Sequence, residues 1–438
     1  MQHLNSVSIA KVATVIVTWN KLHDVCSLLE DIAKLDLQNI QLDIYVVDNA
    51  STDGTQTYVE EYYPQVKVLQ TGSNLGGSGG FSHGLQIVSK LEYDYLWLID
   101  NDVRLDPLAL RPLVETLQNY REVGLVGSQI RKLDAPNTIQ EVGSFINSVK
   151  AHLRTNFGDC PITSTEEILG GKPYVTVDAC AAASLLVHRK VVQQIGVFEN
   201  YFLHFDDVEW CLRAKQASWV VASNPASIIW HNSPDFKCRP WINYYDERNL
   251  CYCWQKHRPN LVLRRVLVSL PRLIYYAITG RCFLAQVYIQ GFQDFIKGIR
   301  GEMPGTLPYT EYSLEEIIDK PSTVMIQYSN YKDKFQSSIL QKMESEQKII
   351  PWFPPQNLVP RLWLLLVACF RKPVDVALVT CRYPELYALN LARHVYFFTG
   401  SGYVPTSRNP VFLMKGITKT ISQLWQVYWQ ISKLKLSK

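Results

Sequence analysis

The first hundred residues alternate short apolar runs with amphipathic stretches. Val12–Thr18 (VATVIVT) is a continuous, β-branched run, the pattern of a strand buried on both faces. Residues 21–35 set Leu22, Val25, Leu28, Leu29 and Ile32 on one helical face. Leu42–Val47 (LDIYVV) predicts a second strand, ended by Asp48 and Asn49, and Ser51–Gly54 reads as a turn feeding a helix. Val66–Gln70 predicts a third strand, followed by a glycine-rich loop, a helix at Phe81–Ser89 and a fourth strand at Tyr95–Ile99 (YLWLI). This β-α-β-α-β-α-β order implies a mostly parallel central sheet with helices on both faces. Ser184–Val187 and Trp219–Ala222 predict further strands on either side of a helix at Asp207–Ala217. Residues 258–300 mix apolar, aromatic and basic positions and read as amphipathic helices. Residues 303–360 are polar and proline-bearing, the pattern of a connector. The expected organisation is an α/β unit over 1–255, a helical extension over 256–302, that connector, and an accessory unit over 361–438, with the C-terminal region mainly helical.

Composition narrows this. At 438 residues with 47% hydrophobic positions, the chain can bury a large core and exceeds one ordinary domain. A net charge of +4 does not call for nucleic acid. The ten cysteines form no framework: Cys251 and Cys253 make only a CxC, so structural zinc and a disulfide scaffold are disfavoured and a reducing cytosol fits. The N-terminus lacks a signal-peptide layout. The best apolar run, Leu362–Phe370, is short and is stopped by Arg371, Lys372 and Pro373, so no membrane span is expected.

Three polar clusters then fall at strand ends: Thr18-Trp19-Asn20, Asp48-Asn49-Ala50-Ser51 and Asp100-Asn101-Asp102. Ligands of parallel sheets bind beyond the carboxyl ends of the strands. Asp100 and Asp102, two positions apart after YLWLI, can offer oxygen to a hard divalent cation, Mn²⁺ or Mg²⁺. His231, at the end of the apolar Ile228-Ile229-Trp230, is either a third ligand or a hydrogen-bonded structural residue. His204 to Trp210 (HFDDVEW) concentrates acid among apolar groups. Such carboxylates have raised pKa values and suit general-base work, although acids also favour a helix N-terminus. Gly76-Gly77-Ser78-Gly79-Gly80 allows backbone to approach a ligand closely and to face anionic oxygen. Ser82 stands where GxGxxG needs its last glycine and no GK[ST] follows, which disfavours a dinucleotide-binding dehydrogenase and a P-loop NTPase.

Taken together, VIVTWN (15–20), VVDNASTDGT (46–55), NLGGSGGF (74–81), WLIDNDV (97–103), FDDVEWCLRA (205–214), WH (230–231) and YYDERN (244–249) resemble glycosyltransferase family 2, inverting enzymes of the GT-A fold. The pattern is most similar to galactofuranosyltransferases and rhamnosyltransferases. The resemblance implies transfer of galactofuranose or rhamnose from a UDP- or dTDP-sugar to a glycan or lipid-linked glycan acceptor in cell-surface polysaccharide synthesis. It implies that Thr18, Asn20, Asp48 and Ser51 line the nucleotide pocket, and that Asn74 and the segment Gly76, Gly77, Ser78, Gly79 and Gly80 border the donor sugar and diphosphate. Asp100, Asp102 and His231 would hold the divalent cation, with Asp102 its more direct ligand. Asp207 would be the general base. Asp206, Glu209 and Trp210 would position the acceptor, and Tyr245 and Arg248 would support the donor side. Asn101 departs from the Asp that galactofuranosyltransferases often carry there, which leaves the donor sugar open. A nucleotidyltransferase, or a glycan-binding protein without catalysis, are the competing readings. The basic, apolar segment 258–300 adds an expectation of peripheral contact with the inner face of the cell membrane from the cytoplasm; homo-oligomerisation stays open.

Overall fold

The computed structural model describes residues 9–231, 240–307, 309–317, 324–327, 349–352, 374–379, 392–398, 402–406 and 410–434. Strand β1 (Ala10–Thr18) leads through helix α1 (Leu22–Ile32) to β2 (Ile40–Asp48), α2 (Thr55–Tyr62), β3 (Val66–Gln70), α3 (Gly76–Val88) and β4 (Tyr95–Asp100). There follow β5 (Val103–Leu105), α4 (Arg111–Asn119), β6 (Val123–Lys132), β7 (Ile139–Glu141), β8 (Ser144–Asn147) and β9 (His152–Thr155). Then come α5 (Thr165–Leu169), β10 (Val175–Thr176), β11 (Ser184–His188), α6 (Arg189–Ile195), α7 (Asp206–Gln216) and β12 (Val220–His231).

These strands build one sheet in the order β10-β12-β6-β11-β4-β1-β2-β3, with β5 on β12 and β7 on β6. From β4 through β3 it is parallel; β11 runs antiparallel to both β4 and β6, which makes the whole sheet mixed. Side chains of β1 and β4 alternate between its two faces. Ala13, Val15, Leu96 and Leu98 enter one core with α3, α7 and later helices. Val12, Ile16, Trp97 and Ile99 enter the other with α1 and α4. The chain reverses direction across the sheet between β1 and β4, so the crevice at their carboxyl ends is where a ligand is expected.

The glycine-rich stretch differs from its expected form. It is the first turn of α3 rather than a loop ahead of a helix at residue 81. Glycine disfavours helix intrinsically, but close packing decides here. A Cβ on Gly80 would lie 2.4 Å from Val17 Cγ1, and one on Gly84 2.6 Å from Val15 Cγ1, so the bare backbone lets α3 press onto β1.

Helices α8 (Pro240–His257), α9 (Asn260–Ile278) and α10 (Cys282–Ile296) follow, packed on one another and on the sheet. After the short α11 (Leu314–Ile317) come β13 (Val324–Gln327), β14 (Ile349–Trp352), β15 (Val374–Val379), β16 (Ala392–Phe398), β17 (Tyr403–Thr406) and α12 (Pro410–Lys433). Helices make up most of the described C-terminal region, as expected, and beside them these strands form a second sheet that the sequence did not announce, β14-β13-β15-β16-β17, parallel except at β17. Two of them lie in the stretch read as a connector; at four residues each they are too short to set a period against polar surroundings. The run Leu362–Phe370 lies outside the described residues. Among the described residues, no helix is long and apolar enough to cross a membrane.

Candidate active site

The rim begins at the paired ends of β1, β2 and β4. Thr18 sits opposite Asp48, and Val17 opposite Asp100. Asn101 Nδ2 donates to Thr18 Oγ1 at 2.9 Å, which ties the acidic turn to β1. Asp48 is only 1% exposed and accepts from Ser51 N at 3.2 Å and from Gln70 Nε2 at 2.7 Å. The Ser51 hydroxyl also donates to Asp48, and accepts from Asn20 N at 2.8 Å; Asn20 Oδ1 accepts from Thr52 N at 2.7 Å. Thr18, Asn20, Asp48 and Ser51 thus share one hydrogen-bonded patch. Asn20 and Ala50 hold positive φ within it, at 51° and 58°, a strained backbone that persists only where its surroundings over-determine it. Trp19 stands among them with half its surface exposed.

The acidic turn meets His231 through strand pairing. After Asp102, β5 folds back antiparallel to β12 and puts Val103 opposite His231. His231 Nε2 lies 3.1 Å from Asp102 Oδ1 and 4.0 Å from Asp100 Oδ2. One ligand atom from each of the three residues falls within 4.8 Å of the others. Two carboxylates and an imidazole at this spacing fit Mn²⁺ or Mg²⁺.

Asp206 and Asp207 open α7. The approach to this helix is unusual: Phe202, His204 and Phe205 all take positive φ, between 63° and 68°. Its backbone carbonyls are held from α8. The buried Arg248 donates through Nη2 to Tyr201 O at 2.9 Å, and Asn249 Nδ2 donates to Leu203 O at 2.5 Å and His204 O at 3.0 Å. Asp246, from the same YYDERN segment, sits 2.7 Å from His204 Nδ1. The clamp carries Asp207 to a fixed place, where Oδ1 accepts from Val208 N at 2.7 Å and Oδ2 from Ala182 N at 3.1 Å.

Burial raises the pKa of Asp207 despite those amides. Asp206 is pushed up to about 7, by burial first and by the charge of Asp207 second. Burial pushes His204 down, but Asp246, joined by Asp206 and Asp207, outweighs it and raises the imidazole to about 9.

Glu141, at the end of β7, carried no signal in the sequence, yet it belongs to this place. Burial and then the charge of Asp207 push it to about 7, opposed by a hydrogen bond from the Ala181 amide and by His231. One carboxyl group therefore feels both the imidazole of the acidic turn and the carboxylate of α7. Adjacent amides, Ala181 and Ala182, hold Glu141 and Asp207 respectively.

Other residues singled out in the sequence lie deeper. Glu209 is fully buried against Arg213, Lys256 and His257, which hold its carboxyl down at about 2 against the cost of burial. Trp210 is buried and donates to Gly196 O at 2.8 Å. Tyr245 stacks on Phe202 and accepts from Met303 N at 2.9 Å. Ser78 is buried, while Asn74 and Gly79 border a cavity of about 350 Å³ that His83, Asn200 and Glu302 also line. Gly76 sits tightly under Phe202 O, with no room for a Cβ, and Gly77 lies against Leu203.

The raised groups make folding stability depend on pH with a definite sign. Asp206 and Glu141 bind more protons folded than unfolded, so their stabilising contribution is complete below the ordinary carboxyl value and is lost as pH rises through about 7. His204 adds stability below its ordinary value that is lost as pH rises through about 9. We expect the melting temperature in metal-free buffer to fall between about pH 5 and about pH 8, and Asp206→Asn to flatten that fall. Identical slopes for both proteins in thermal melts would contradict the assignment.

Residues 14–169 match the profile of Glycosyl transferase family 2. The chain carries a glycosyl transferase family 2 domain. Its core has the GT-A-like α/β arrangement, a mixed sheet between helices. Among curated relatives, the N-acetylglucosaminyl-diphospho-decaprenol L-rhamnosyltransferase of Mycobacterium tuberculosis is 25% identical over 202 residues, covering 43% of this chain and 66% of the relative. Galactofuranosyltransferase GlfT2 of the same organism is 24% identical over 190 residues, covering 40% and 30%. The match thus spans just under two thirds of the first relative and under a third of the second. A solved structure of S. aureus TarS aligns with a TM-score of 0.46 at 14% identity, over 66% of this chain and 49% of that one.

Proposed function

We propose that this protein is a metal-dependent inverting glycosyltransferase that moves a sugar, galactofuranose or rhamnose, from a UDP- or dTDP-sugar to a glycan or lipid-linked acceptor. The observation that carries the reading is the grouping of Asp100, Asp102 and His231, one ligand atom of each within 4.8 Å of the others, at the carboxyl ends of β4 and β12. Inversion needs a diphosphate held on one side of the anomeric carbon and a base on the other. The patch formed by Thr18, Asn20, Asp48 and Ser51 suits the nucleoside, and the exposed Trp19 offers a face on which a base can stack. A divalent cation bound by Asp100, Asp102 and His231 would offset the charge of the departing diphosphate. Asp207 takes the proton of the acceptor hydroxyl as its oxygen attacks the anomeric carbon. Its raised pKa makes it a better proton acceptor than an exposed aspartate. The names of the two mycobacterial relatives support rhamnose and galactofuranose as the sugars to try first.

A panel of nucleotide-sugars, assayed for nucleoside diphosphate release with Mn²⁺ and a polyprenyl-diphosphate-linked glycan, tests this. We expect release to depend on both the metal and the acceptor, with one sugar preferred. Pyrophosphate as the product would favour a nucleotidyltransferase instead. Glycan binding without release from any donor would favour a non-catalytic protein on the same fold.

A further inference from the structure

Helices α9 and α12 pack against each other on the side of the molecule built from α8, α9 and α10. Leu424, Val427 and Ile431 turn one face of α12 into the core. The exposed side carries an apolar stripe beside polar positions such as Ser422 and Gln426. Met414 (62% exposed), Ile421 (44%), Trp425 (64%) and Trp429 (55%) recur at helical spacing along it. On α9, Leu267, Val268 and Ile278 are exposed as well, beside the exposed Pro271. Exposed tryptophans in such a stripe are rare on a surface meant for water alone.

The charges on these helices point to what covers the stripe. Neither α9 nor α12 contains an Asp or Glu. Arg264 and Arg272 on α9, and Lys415, Lys419 and Lys433 on α12, are all exposed. Lys433 lies 4.6 Å above the Trp429 ring, an arrangement that brings a cation to the edge of the apolar stripe. Apolar and indole side chains flanked by cations, with no acid, complement the interface of a bilayer bearing anionic headgroups. A neutral glycan offers no comparable reason for excluding every acid over both helices.

We propose that the exposed faces of α9 and α12 form a docking surface for an anionic lipid bilayer, with Trp425 and Trp429 entering the headgroup region. The inference stands apart from the transferase reading, since none of these side chains belongs to the site described above. It does have a structural link to that site. Arg265 of α9 pairs with Glu247 of α8, whose neighbour Asp246 holds His204 ahead of Asp207.

The test is co-sedimentation of the full chain with vesicles of phosphatidylcholine alone and of phosphatidylcholine mixed with phosphatidylglycerol. The expected result is at least about tenfold tighter binding to the anionic vesicles, weakening as salt is raised. Trp425→Ala with Trp429→Ala is expected to lower that binding about tenfold or more. Lys415→Glu with Lys419→Glu, substitutions of exposed side chains outside the buried Leu424, Val427 and Ile431 face, is expected to abolish the preference for anionic lipid. Equal affinity for both vesicles, or no loss in either variant, overturns the proposal. So does a concentration-dependent dimer, without vesicle binding, that the tryptophan substitutions dissociate; this outcome assigns the face to a second copy of the chain.

Discussion

The Asp207→Asn variant is expected to turn over about 100- to 10,000-fold more slowly than the wild type, with nucleotide-sugar affinity unchanged. The substitution keeps the size of the side chain and one acceptor oxygen, enough for the amide of either Val208 or Ala182 but not both. The cost of that lost acceptor falls on stability, at about 1–3 kcal/mol, and is read separately in a melting curve. What the variant cannot do is take a proton. The loss should therefore appear in kcat and not in donor binding, a split that calorimetry of the nucleotide and steady-state kinetics together resolve. The pH profile sharpens the test. Asp207 is raised by burial, and Asp206 beside it is raised to about 7, so the wild-type rate should climb with pH through the range in which this pair ionises. In the variant the residual rate should lack that climb. Normal turnover in Asp207→Asn would remove this residue from the role of base.

What could be read from the sequence was whatever sits in a local run. β1 and β4 are buried on both faces and are therefore written as largely apolar runs, as is the second half of β2, and their ends are marked by Thr18, Asp48 and Asp100. The acidic turn and the DDVE segment were legible for the same reason. Glu141 was not, because β7 is three residues long and its carboxyl is drawn into place by the amide of Ala181, a contact across the fold with no spacing to betray it. Arg248 was visible as part of YYDERN, but its neighbours were not: it grips the carbonyl of Tyr201 from inside the core and holds the chain ahead of α7. The glycine-rich stretch shows the opposite limit. Its composition argues for a loop, and only the distances to Val15 and Val17 explain why a helix tolerates it. The two strands inside the predicted connector, VMIQ and IIPW, went unread because four residues are too few to set a period within polar, proline-bearing surroundings.

Removing Asp102 should cost nearly as much as removing the base. Asp102→Ala is expected to lower turnover on the order of a thousandfold, the effect of several kcal/mol of lost charge stabilisation. It should also lower affinity for Mn²⁺, measured by electron paramagnetic resonance of the protein without donor. The reasoning is electrostatic. The turn offers only two carboxylates, because Asn101 between them is neutral and its amide is engaged with Thr18. The third ligand, His231, contributes no negative charge when it is ready to bind a cation. Asp102 therefore supplies half of the formal charge of the group, and it is the carboxylate nearer to His231, at 3.1 Å against 4.0 Å for Asp100. Its loss leaves the imidazole and Asp100, 4.0 Å apart, as one neutral ligand and a single carboxylate, too little charge to hold the ion as tightly. His231→Ala should be milder, since a water can fill a neutral ligand's position but not a carboxylate's charge. A chelator should bring the wild type down to the level of Asp102→Ala and leave that variant unchanged. Full activity in Asp102→Ala under a chelator would show that the leaving diphosphate is neutralised by other groups, and the acidic turn would then need a different explanation.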